Sequence, residues 1–90
     1  MALNLIWDAE DDPHGNVQHV AEHWLDKEDV RYVLENPSGA TLSRSSGLPC
    51  VFGYTESDAG GASRRYIIVV YEETEEGTYP VTAYDVPERG

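Results

Sequence analysis

Apolar residues in the first part of this chain recur three and four positions apart, and in the second part they run together or alternate. Val17, Val20, Ala21 and Trp24 fall at i, i+3, i+4 and i+7, the stripe of an amphipathic helix. Asp12-Pro13 offers a cap followed by proline at the first helical position, so this helix is expected over about Pro13 to His23. A second helix should open at Asp26, with Glu28 and Asp29 near its positive end and Val30, Val33 and Leu34 as its apolar face. Asn36-Pro37 stops it. Before both, Leu3 to Trp7 reads as a short strand entering the acidic turn Asp8 to Asp12.

The later pattern is β. Ala40 to Ser43 and Pro49 to Thr55 are expected strands around a Ser45-Ser46-Gly47 turn, and Ser57 to Ser63, with Gly60-Gly61, is a hairpin loop. Arg65 to Tyr71 is the one stretch in which apolar, β-branched and aromatic residues run on without interruption. A strand with one wet face would alternate, whereas Tyr66, Ile68 and Val70 are as apolar as Ile67, Val69 and Tyr71, so a central strand covered on both faces is expected. After an acidic turn at Glu72 to Gly77, Tyr79 to Val86 is the last strand, and Pro80 marks it as an edge. The fold class expected is α+β, with two N-terminal helices packed on a small, mainly antiparallel sheet of four or five strands.

Ninety residues make a single domain over 1–90, long enough to bury roughly 60% of the unfolded surface in one modest core. The lone cysteine, Cys50, excludes an internal disulfide and fits a reducing compartment. The longest apolar stretch falls far short of the ~20 residues that span a bilayer, and the chain opens with no secretion signal, so the expected location is the cytoplasm.

Charge changes the picture more. Seventeen acidic against six basic residues give a net charge of −11 and a pI near 4.3. A field of that sign repels phosphates and disfavours nonspecific nucleic-acid binding. It suits a basic protein partner, or a surface adapted to a salty cytoplasm. The acidic runs Asp8 to Asp12 and Glu72 to Glu76 lack the ligand spacing of a calcium loop.

The ordered set Ile6-Trp7-Asp8, Asn16-x-x-His19-x-x-x-His23, Val33-Leu34-x-Asn36-Pro37, Arg65-x-Ile67-x-Val69-Val70-Tyr71 and Pro80-Val81-Thr82-Ala83-Tyr84-Asp85-Val86 resembles the BrnT-like toxins. These belong to the RelE/ParE-like superfamily of type II toxin–antitoxin systems. The resemblance spans Leu5 to Val86 in one colinear order. It implies a small antiparallel sheet flanked by N-terminal helices, ribosome-associated or general ribonuclease activity on RNA, and neutralisation by a cognate antitoxin. Family toxins are usually basic and often carry a basic C-terminal helix; this chain is acidic and follows its last strand with four residues, Pro87 to Gly90.

A ribonuclease of this kind needs a base for the 2′-hydroxyl proton, an acid for the leaving oxygen and cations for the developing phosphorane charge, without metal or other cofactor. His19 and His23 are the acid–base candidates, because imidazole titrates near neutrality and positions i and i+4 share a helix face. Arg44 and Arg65 could each hold a phosphate with a planar fork, and Tyr84 could add a hydroxyl. Each also has a plainer role: helical histidines usually pack or face water, and an arginine among so many carboxylates is usually an ion-pair partner. His19-Val20-Ala21-Glu22-His23 matches the H-x-x-E-H of inverted zinc peptidases, but such enzymes need a third ligand and a larger scaffold. Cys50 lies in an apolar run as a small hydrophobe, and Trp7 and Trp24 end apolar stripes as core residues. The second reading is a non-catalytic interaction module whose acidic face binds a basic protein.

Overall fold

The computed structural model describes residues 4–22, 25–44, 46–55 and 65–86. In chain order these form α1 (Asn16–Ala21), α2 (Lys27–Glu35), β1 (Gly39–Leu42), β2 (Pro49–Tyr54), β3 (Tyr66–Glu73) and β4 (Thr78–Asp85). The strands make one antiparallel meander in the order β1-β2-β3-β4. The expected hairpin loop at Ser57 to Ser63 lies outside the described residues.

Register assigns the two faces of the sheet. Val51, Val69 and Ala83 are cross-strand partners in line, and with Ile67 they form the floor on which Val20, Leu25, Val30 and Val33 pack. Both described helices therefore lie on this face. The other face carries Cys50, Phe52 and Tyr54 from β2, Tyr66, Ile68 and Val70 from β3, and Thr82 and Tyr84 from β4. Strand β3 is interior as expected, and its cover varies along both faces: Ile67 and Val69 are fully buried under the helices with Tyr71 half-buried beside them, while on the other face Val70 is buried and Tyr66 and Ile68 are half-buried. On the open face the aromatic rings cover one another instead. Phe52 and Tyr66 meet edge-on at 6.0 Å, Tyr54 and Tyr66 stand 4.8 Å apart, and the Phe52 ring lies over Gly39, where a Cβ would clash.

Helix α2 starts where its sequence says it should. Asp26 accepts from the Asp29 amide while the Asp29 side chain accepts from the Asp26 amide, a reciprocal capping box, and the helix ends before Pro37. Helix α1 is shorter than expected. Its first turn does not form at Pro13, because Asp12 accepts from the His14 and Gly15 amides in a turn of its own, and Gly15, in extended conformation, becomes the cap. Gly15 sits so close to Asp8 that a side chain there would collide with it. Of the expected stripe, Val20 is buried, Val17 half-buried and Ala21 exposed, and Trp24 lies outside the described residues.

The two sheet margins differ. Along β4, the segment from Asn4 to Ile6 adds a parallel bridge at Leu5, with Thr78 N–H donating to Asn4 and Ile6 N–H donating to Thr78. The expected first strand is thus a single bridge. Pro80 stands at a register shift opposite Tyr71, where a missing donor is tolerated. No strand lies outside β1 among the described residues.

Candidate functional site

The five sequence-derived candidates separate in space. Arg44 follows β1 in a tight hairpin, closed by Ser43 N–H donating to Leu48 and by Gly47, whose φ of 73° needs a glycine. Tyr84 stands opposite Ile68, which neighbours Phe52 in turn. The result is an open groove of about 340 Å³ on the uncovered face, lined by Arg44, Tyr84, Thr41, Leu42, Cys50 and Ile68. Two candidates far apart in sequence, Arg44 and Tyr84, thereby share one concavity.

Arg65 is elsewhere. It donates through Nε and Nη2 to the two carboxylate oxygens of Asp85, at 2.9 and 2.5 Å. Asp85 opposes Ile67, so this two-pronged pair lies on the helix side, near Asp29. The bonds to Asp85 push the guanidinium's pKa higher still, which fixes it as a cation with a carboxylate in place. His19, on α1, is half-buried near Asp8 and adds a small attraction that helps hold that carboxylate ionised. Helix α1 packs through Val20 on the face that carries Ile67, Val69 and Ala83, so its His19 and the groove are on opposite sides of the β layer. His23, the second histidine of the H-x-x-E-H pattern, lies outside the described residues. Among the described residues no three His, Cys, Asp or Glu side chains come together as metal ligands.

A network absent from those candidates joins the N-terminal segment to the fold. Asn16 is 1% exposed. Its Oδ1 accepts from the Asp8 amide, and its Nδ2 donates to the carbonyls of Ile6 and Pro80 at 3.0 and 2.8 Å. Asp8 in turn accepts from the Asn16 amide and from the Tyr79 hydroxyl. The Tyr79 bond is the largest influence lowering the Asp8 pKa, and the same bond raises that of Tyr79 to about 12. The signal was present in the sequence: an amide residue at the start of an apolar stripe, following Trp7-Asp8. These groups hold the scaffold and are not part of the Arg44–Tyr84 groove.

No family model, curated protein or solved structure matches the chain. The charge around the groove is unusual for this molecule. Between Glu35 and Glu56 the sequence contains no acidic residue, and its one charge is Arg44. The open-face residues of β3 and β4 that complete the groove are likewise free of carboxylates. Arg44 is exposed and belongs to none of the ion pairs found among the described residues, which join Lys27 to Glu10, Arg31 to Glu35 and Arg65 to Asp85. The thiol of Cys50, at the groove floor, is pushed up by burial and stays protonated. No described helix is long and apolar enough to cross a membrane.

Proposed function

We propose that this chain is a BrnT-like toxin of a type II toxin–antitoxin system, a metal-independent RNA endonuclease working at the open face of the sheet. The observation that supports this reading is that Arg44 and Tyr84 share one groove whose described lining carries no carboxylate, in an otherwise strongly acidic molecule. In this chemistry the 2′-hydroxyl gives its proton to solvent water as its oxygen attacks the adjacent phosphorus, the bond to the 5′-oxygen breaks, that oxygen takes up a proton from solvent, and a cyclic phosphate and a 5′-hydroxyl result. The Arg44 fork bridges two phosphate oxygens and stabilises the phosphorane, and the Tyr84 hydroxyl hydrogen-bonds to the reacting oxygens. His19, behind the sheet, serves the scaffold beside Asp8. The partners implied are RNA, free or on the ribosome, and a cognate antitoxin that covers the groove in the cytoplasm.

One observation favours the second reading, a non-catalytic acidic interaction module: His19 and Arg65 stand apart from the groove, and Arg65 is matched by Asp85. Induction in a bacterial host separates the two. The toxin reading expects growth arrest with loss of RNA, abolished by Arg44→Ala combined with Tyr84→Phe and retained in His19→Ala. Normal growth with intact RNA would overturn it in favour of the module.

A further inference from the structure

Among the described residues the sheet protects one margin and leaves the other bare. Outside β4 lies the Asn4 to Ile6 segment, and Pro80 interrupts the ladder there. β1 has neither device. Its four residues, Gly-Ala-Thr-Leu, contain no charge and no proline, the usual guards of an edge strand, and Leu42 is 65% exposed. Antiparallel ladders alternate between residues that bond across the pair and residues that point away. Ser43 N–H bonds inward to Leu48, so Thr41 also faces β2, and the N–H and C=O groups of Ala40 and Leu42 point outward.

We infer that the β1 edge is an interface between two copies of this chain, paired antiparallel about a twofold axis at Thr41 to make one continuous eight-stranded sheet. With Thr41 opposite Thr41, Ala40 faces Leu42 of the second copy on both sides of the axis. Their four outward amides and carbonyls then exchange hydrogen bonds, and each exposed Leu42 is covered by an apolar neighbour.

Charge identifies the occupant. Two copies bearing −11 each repel unless they meet where the carboxylates are not, and the β1–β2 hairpin is the acid-free segment between Glu35 and Glu56. The acidic runs at Asp8 to Asp12 and Glu72 to Glu76 adjoin β4, where Asp8 binds Tyr79 and Asn4 binds Glu76. At ~4.8 Å per strand, β4 is about 14 Å from β1. In the pair the two β4 margins therefore stand several Debye lengths of ~8 Å apart. A basic peptide added to the same edge would find no carboxylate on β1 to recognise it. Four-residue strands bury less than the ~800 Å² per partner of a standard interface, so the dimer is weak and concentration-dependent.

Sedimentation of the full chain over micromolar to millimolar concentration, in low and high salt, tests this. The expected mass rises from 10.0 kDa to twice that value, and the dimer tightens with salt because only long-range repulsion is being screened. Leu42→Asp should weaken dimerisation at least about tenfold by placing like charges across the seam. Ala40→Pro, which deletes an outward donor while leaving the β1–β2 ladder intact, should do the same. Circular dichroism unchanged from the parent shows that both variants are folded. A chain monomeric throughout, a dimer indifferent to both substitutions, or a dimer loosened by salt would overturn the proposal.

Discussion

Replacing Asn16 with alanine should be among the most damaging single changes in the molecule, although Asn16 lies outside the Arg44–Tyr84 groove. The truncation unpairs three backbone groups at once: the Asp8 amide and the carbonyls of Ile6 and Pro80. A hydrogen bond contributes about 1 kcal/mol net, and a group left buried without a partner costs about 1–3 kcal/mol. Water can reach Asp8 and Ile6, which are half-buried, but not Pro80, which is buried. Two ordinary losses and one stranded carbonyl come to about 3–5 kcal/mol. A chain of this size is stable by about 5–13 kcal/mol in total, so the variant stands near the threshold of folding. Urea unfolding followed by tryptophan fluorescence measures the change. With a slope of ~1.5 kcal/mol per molar, the midpoint should fall by about 2–3 M without a change in slope. A fall smaller than about 0.5 M would show that the network binds the N-terminal segment far less tightly than its geometry implies.

The Asp8–Tyr79 bond should give the same network a pH signature. Asp8 has its folded pKa lowered, so its contribution is present above the ordinary carboxylate range and is lost as pH falls through the lowered value. Tyr79 is raised to about 12 in the folded state, so its contribution is complete below the ordinary tyrosine range near 10 and is lost as pH climbs toward 12. In Tyr79→Phe the alkaline loss between those values should disappear, which a stability–pH profile by chemical denaturation reads directly. Gly77 has φ of 148°, and a Cβ there would strike the Asn4 carbonyl. Gly77→Ala should therefore cost about 1–3 kcal/mol and expose the Ile6 and Thr78 amides to hydrogen exchange while Ile67 and Val69 stay protected. Unchanged exchange at Ile6 and Thr78 would contradict that placement.

Much of this fold could be read in the chain because local and global signals agree. Asp26 and Asn36-Pro37 bracket α2 with a cap and a stop, and the unbroken run from Tyr66 to Tyr71 could only be an interior strand. The start of α1 misled because Asp12-Pro13 has the chemistry of a cap, yet Asp12 spends its oxygens on a preceding turn and Gly15 must pack against Asp8. The cover on β3 misled because apolarity on both faces does not say whether helices or neighbouring aromatic rings provide it. For the site, strand order and register bring Tyr84 and Arg44 together, and both are consequences of a meander that the turn residues encode. That His19 lies behind the sheet could not be read, since helical periodicity defines which side of a helix is apolar but not which face of the sheet receives it. The acid-free stretch from Asn36 to Thr55 was visible in the sequence, but only the fold shows that it forms one margin and one groove.

The most direct measurement is cleavage of a labelled single-stranded RNA by the purified chain in the presence of a chelator, with the product ends identified. The expected result is cyclic phosphate and 5′-hydroxyl termini, a loss of about 100-fold or more in Arg44→Ala, a large loss in Tyr84→Phe, and little change in His19→Ala. Intact RNA, or cleavage that depends on His19 and ignores Arg44, would contradict an active groove on the open face of the sheet.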